Sequence, residues 1–180
     1  MLKCDKLSIT IAGRTLVREL SLELGSGEVI CMLGPNGVGK TLALHTLAGL
    51  LTPASGVVML DGEDISELGR RQIARRLGLL LQDDAESFPA TVLDTVLMGR
   101  HPYMTALGSA SAADHALADQ ALAAMDLGGF SPRTVGTLSG GERRRVAIAR
   151  LLTQDPAAFL LDAPVNHLDP RHQVATLKRF

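Results

Sequence analysis

Between residues 34 and 41 the chain reads Gly-Pro-Asn-Gly-Val-Gly-Lys-Thr, which satisfies the pattern G-x-x-x-x-G-K-[ST]. Gly34, Gly37 and Gly39 let backbone N–H groups curl around phosphate oxygens, and the helix that should start here adds the positive end of its dipole. Lys40 is spaced to reach β- and γ-phosphates, and Thr41 offers a hydroxyl to a magnesium ion. A glycine-rich turn would share the composition, but this stretch lies between an apolar strand-like run and a helix-like run, the context that phosphate binding requires. A second candidate anion site is Leu-Ser-Gly-Gly-Glu, residues 138 to 142, where Ser139, Gly140 and Gly141 present a hydroxyl and bare amides at the start of a predicted helix. Alone, it would read as a serine N-cap. Asp162 closes the apolar run Ala-Ala-Phe-Leu-Leu and could hold the same magnesium as Thr41, although a lone aspartate at a strand end is usually a turn residue or cap.

The elements that must position these groups alternate. "LSITIA" and "SLELG" are β-rich, and the continuous hydrophobicity of "GEVICML" predicts a strand covered on both faces of a parallel sheet. "TLALHTLAGLL" predicts a helix ending near Gly49, "SGVVMLDG" a strand closed by an Asp-Gly turn, Arg70 to Arg76 a short basic helix, and "LGLLLQ" another buried strand. From "SFPATVLDTVLMGRHPYM" through "SAADHALADQALAAMDL" the pattern is helical, with no convincing strand. "TLSGGERRRVAIARLLTQ" then gives a helix and "AAFLLD" returns to strand. The class is α/β.

Composition excludes several functions. The 180 residues carry 18 basic and 19 acidic side chains, a net charge of -1, and only 3% aromatics. Neither a basic footprint nor stacking platforms for nucleic acid are present, so Arg70, Arg71, Arg75, Arg76 and Arg143 to Arg145 read as solvated helix faces. No apolar run approaches the ~20 residues needed to cross a bilayer, and no signal-peptide core opens the chain. A soluble, cytoplasmic protein is expected. Cys4 and Cys31 are too few for a disulfide framework, and Cys31, inside an apolar run, is expected to be a packed, reduced thiol. No histidine, His101 included, stands at a metal-ligand spacing.

Taken in order, "GPNGVGKT", Gln82 in "LLLQDD", "LSGGERRRVAIAR", "FLLD" and "NHLD" resemble the nucleotide-binding subunit of ATP-binding cassette (ABC) transporters, over nearly the whole chain. The resemblance implies a phosphate-loop NTPase (RecA-like) core with N-terminal antiparallel strands and a helical insertion. A single domain is expected, with residues 1–82 and 151–180 as nucleotide-binding core and 83–150 as a helical subdomain carrying the LSGGE signature. It further implies ATP and Mg²⁺ as ligands, sandwiched in a head-to-tail homodimer or a pair with a related cassette. One copy's Walker A residues, Gly34, Pro35, Asn36, Gly37, Val38, Gly39, Lys40, Thr41 and Leu42, would face the other's Ser139, Gly140 and Gly141. Lys40, Gln82 and Asp162 would be catalytic, Thr41, Gln82 and Asp162 would hold the metal, and Asp169 would reach across the dimer. The stretch "FPATVLDTVLMGRHPYM" is similar to the corresponding part of importers of cobalamin, siderophore-bound iron and haem. The partners implied are transmembrane permease subunits, with the cassette peripheral on the inner face of the cell membrane.

Four departures from that pattern stand out. Ala163 occupies the place of the glutamate that polarises attacking water, and loss of a positioned base costs ~10² to 10⁴ in rate. Ile11 stands where an adenine-stacking aromatic is expected, and Leu42 replaces a second hydroxyl residue. Relative to the family the chain stops before the switch-histidine strand, and neither His167 nor His172 can stand in, so it reads as C-terminally truncated. These departures keep open a non-hydrolysing or regulatory nucleotide-binding module, or a fragment of an ABC ATPase. "NHLD" also leaves room for a cassette acting on ribosomes.

Overall fold

A computed structural model describes residues 1–82, 89–105, 108–164, 166 and 173. They fall into two compact units, Met1–Leu77 and Gly78–Phe180.

In the first unit, β1 (Leu2–Ile11) and β2 (Arg14–Leu24) form an antiparallel hairpin. Its two-residue turn, Ala12–Gly13, holds both residues at positive φ, the geometry that matches the twist of the flanking strands. β3 (Ser55–Leu60) pairs on the other side of β1, and β4 (Glu63–Asp64) folds back on β3, giving the order β2-β1-β3-β4. Leu2, Cys4, Leu7 and Ile9 of β1 are buried. The alternation slips between Cys4 and Leu7, where Lys6 takes φ 46° and the register shifts. Opposite that bulge Gly56 is obligatory: a Cβ there would lie 2.5 Å from the carbonyl oxygens of Asp5 and Lys6. Helices α1 (Lys40–Leu47) and α2 (Arg70–Arg76) complete the unit, α1 burying Ala43, Thr46 and Leu47.

The expected strand over "GEVICML" is not formed. Among the described residues no strand pairs with it, and Val29 and Leu33 are 86% and 87% exposed. A parallel strand exists only as part of a ladder, so hydrophobicity alone does not hold this run extended and buried. Cys31 is accordingly exposed rather than packed, whereas Cys4 is buried and its thiol is pushed up by desolvation.

β5 (Leu77–Leu80) leads into the second unit and pairs there with β6 (Ala158–Leu161). Helices α3 (Val92–Leu97), α4 (Ala112–Ala124) and α5 (Gly140–Gln154) build the core, which joins Leu80, Val92, Val96, Ala118, Leu122 and Ile148. Each helix opens on a capping box: Thr91, Ser111 and Ser139 accept from the third helical N–H, and Asp94, Asp114 and Glu142 reach back. The segment after α3 is pinned to the end of α5. Arg100 pairs with Asp114 at 2.7 Å, donates to the carbonyls of Thr153 and Gln154, and stacks 3.9 Å from the Tyr103 ring centre. Gly99 allows that approach, since a Cβ there would meet the Arg150 carbonyl oxygen at 2.3 Å. No helix among the described residues is long and apolar enough to cross a membrane.

Candidate nucleotide-binding site

The glycine loop lies in the first unit and runs into α1 as expected. Gly37 and Gly39 take φ 79° and 104°, values that an L side chain adopts at a cost. Gly39 has a second reason to lack a side chain, because a Cβ would sit 3.1 Å from Val17 Cγ2 of β2. It is the N-cap of α1, makes no side-chain cap, and its carbonyl takes the Ala43 N–H at 2.8 Å. The first turn of α1 holds no acidic residue, so the positive end of the helix dipole meets no carboxylate from its own first turn. Gly34 to Val38 are exposed, and Thr41 and Leu42 are half-buried on the first turn. Lys40 folds back over the loop, its Nζ donating to the carbonyls of Gly34 at 2.8 Å and Pro35 at 2.9 Å. Ile11 ends β1 beside the hairpin turn, 45% exposed, with Arg14 as its cross-strand partner.

The second unit holds the other candidate residues. Ser139 caps α5: its Oγ accepts the Glu142 N–H at 3.3 Å, while the Glu142 carboxylate accepts the Ser139 N–H at 2.7 Å. That amide, followed by the Ser139 hydroxyl, holds the Glu142 carboxyl below its ordinary range. The cap and an anion contact do not exclude each other, since a hydroxyl that accepts through a lone pair keeps its own hydrogen to donate. Ser139 and Gly140 are exposed, and a Cβ on Gly140 would meet nothing within 4 Å.

Asp162, 7% exposed, follows β6, and its N–H donates to the Leu80 carbonyl at 2.9 Å. Gln82 is exposed two residues beyond β5. The structure therefore brings Gln82 and Asp162 to the ends of two paired strands. Ala163 takes φ 44°, a left-handed conformation that is uncommon for alanine. Thr41, Gln82 and Asp162 all offer oxygen, the donor type that Mg²⁺ takes. Among the described residues no three His, Cys, Asp or Glu side chains cluster as a metal site. Val165, His167, Asp169 and His172 lie outside the described residues.

One reading of the basic clusters is corrected. Arg70, Arg71, Arg75 and Arg143 are exposed as expected, but Arg144 is 5% exposed and donates to backbone carbonyls from both strand ends. The signal was in the spacing: Arg144, Ala147, Ile148 and Leu151 recur at three, four and seven, so the arginine lies on the apolar stripe of α5.

Comparison with known proteins agrees with this geometry. The family model described as ABC transporter matches residues 17–166. The chain is 40% identical over 99% of its length to a hemin import ATP-binding protein of Rhizobium meliloti, of which it covers 70%. It is 38% identical over 96% of its length to a cobalamin import ATP-binding protein of Halobacterium salinarum, covering 43% of that protein. It is also 36% identical over 98% of its length to a ferric enterobactin transport ATP-binding protein of Escherichia coli, covering 65%. The chain thus spans between about two fifths and 70% of these relatives' length. Among solved structures it superposes on a metal-chelate type ABC transporter in an inward-facing conformation, with TM-score 0.82, 28% identity, and coverage of 99% of this chain and 65% of that one. A dimeric ATP-binding cassette in a post-hydrolysis state bound to ADP and phosphate gives TM-score 0.84 at 25% identity, covering 99% of this chain and 80% of that one. A glycine loop that turns into a helix, a capped signature helix and a matched span reaching from β2 to the residues after β6 have one common explanation: the chain belongs to the ABC transporter family.

Proposed function

We propose that this chain is the ATP-binding subunit of an ABC importer, coupling ATP binding and hydrolysis to the import of haem, cobalamin or an iron chelate. The observation that carries the reading is the loop of residues 34–41, with left-handed glycines that lead into a helix and a lysine able to exchange its carbonyl partners for phosphate oxygens. The importer branch is supported by the names of the relatives, which are importers of hemin and cobalamin and a transporter of ferric enterobactin.

In this reading Lys40 and the α1 amides bind the β- and γ-phosphates. Ser139, Gly140 and Gly141 of a second copy close on the γ-phosphate, and permease subunits receive the closure. Thr41, Gln82 and Asp162 would hold Mg²⁺, which when bound spreads the negative charge that develops on the transferred phosphoryl group. Gln82 orients the attacking water. The cassette works at the cytoplasmic face of the membrane, peripheral to its permease. With Ala163 in place of a base, turnover is slow, set by positioning and electrostatics alone.

Single-turnover hydrolysis with excess protein tests this. Phosphate release that is slow in the unaltered chain and abolished by Lys40→Ala is the expected result. ATP binding without any release leaves a non-hydrolysing module that serves an intact partner cassette, and absence of ATP binding sinks the reading.

A further inference from the structure

Helix α5 carries three consecutive arginines after its Gly-Gly-Glu start, and the middle one does different work from its neighbours. Arg143 is exposed, and Arg145 donates to the carbonyls of Met125 and Asp126. Arg144 is buried, and its guanidinium spans two strand ends. One terminal nitrogen donates to the carbonyls of Leu81 and, at 3.4 Å, Gln82 just after β5. The other donates to Asp162 at 2.9 Å and Ala163 at 3.0 Å just after β6, and Nε reaches Pro164 at 3.3 Å. A planar fork of five N–H donors can serve five carbonyls at once, and a lysine ammonium with three cannot. A cation this buried must keep its hydrogen bonds, so the carbonyls it holds are fixed in place. Two of them flank the left-handed turn at Ala163, a conformation that persists only when its surroundings over-determine it.

We propose that Arg144 is the positioning residue of the metal-facing side chains, tying the backbone of Leu81–Gln82 to that of Asp162–Pro164 and so setting the separation of the Gln82 and Asp162 side chains. The assignment of those two side chains to Mg²⁺ rests on the function proposed above. The tether itself is a property of the backbone and can be measured without nucleotide. Arg144 touches neither nucleotide nor metal in this scheme; it acts through the two carrier strands, as an outer partner orients a metal ligand.

The test compares Arg144→Gln and Arg144→Lys with the unaltered chain in two measurements. The first is amide hydrogen exchange of the nucleotide-free protein. In Arg144→Gln the Asp162 amide, bonded to Leu80, should exchange at least about tenfold faster, while the amides of Leu7 and Ile9 in β1 keep their protection. The second is binding of ATP without metal, followed by titration of Mn²⁺ as a spin probe. ATP affinity without metal should stay within about twofold, whereas Mn²⁺ affinity of the ATP-bound protein should fall about 10- to 100-fold in Arg144→Gln and less in Arg144→Lys. Unchanged exchange at Asp162 overturns the proposal, as does unchanged Mn²⁺ affinity. Equal loss of protection in β1 in both variants also overturns it, by making Arg144 a general stabilising residue. If the unaltered chain binds no ATP, the nucleotide-binding reading fails instead, and exchange at Asp162 still decides the tether.

Discussion

Ala163 places a methyl group where the resemblance expects a carboxylate, on a residue whose carbonyl is already held by Arg144. The backbone is thus fixed while the chemistry is missing, which makes the site a direct test of what one side chain contributes. Ala163→Glu should raise single-turnover hydrolysis by ~10² to 10⁴ with little change in ATP affinity, as measured by phosphate release beside nucleotide titration. An unchanged rate would mean that another feature limits turnover. Ile11 offers the complementary test, because its exposed position on the hairpin presents aliphatic surface and no π-face. Ile11→Tyr should tighten ATP by ~1 to 3 kcal/mol. Inorganic triphosphate, titrated in competition, should show no gain. At this scale the glycine loop was legible because positive φ and close approach to β2 leave glycine no substitute. Arg144 was hidden, because a run of three arginines reads as solvated until the helix phase is followed and one of them lands on the apolar stripe. Cys31 misled for the opposite reason: its neighbours are apolar, but nothing described covers them.

At the scale of elements, the three helices of the second unit, α3, α4 and α5, start on the side-chain oxygens of Thr91, Ser111 and Ser139, whereas α1 starts on a glycine with no side-chain cap. At α4 the Ser111 amide, the Ser111 hydroxyl and Arg100 together bring the Asp114 carboxyl down to about 2. An unfolded aspartate titrates near 3.9, so the folded-state pKa is depressed. That stability is complete above about pH 4 and is lost as pH falls from ~4 toward ~2. Denaturant midpoints of the unaltered chain should decline over that window. Asp114→Asn should be less stable than the unaltered chain at pH 7, and the difference between the two should vanish near pH 2. The helices and the strands β1, β3, β5 and β6 follow from periodicity and turn residues alone. The strand over "GEVICML" does not follow, because strand formation depends on a neighbour that no local pattern specifies.

For the whole molecule, the two units divide the proposed chemistry: the glycine loop belongs to Met1–Leu77, and the signature helix, Gln82 and Asp162 belong to Gly78–Phe180. A head-to-tail pair would bring the glycine loop of one copy to Ser139 of the other. Light scattering should therefore show a larger species with Mg²⁺ and ATP than without, and under the slow turnover proposed for Ala163 that species should persist. Ser139→Phe should abolish that species while each copy still binds ATP. Binding itself should carry a signature of the resting loop. Since the Lys40 ammonium is already engaged by two oxygens of its own turn, nucleotide arrival is an exchange of partners and not a simple gain. Calorimetry would then record less heat than a tally of new phosphate bonds implies, and trimming the triphosphate to a diphosphate would forfeit less than a free lysine predicts.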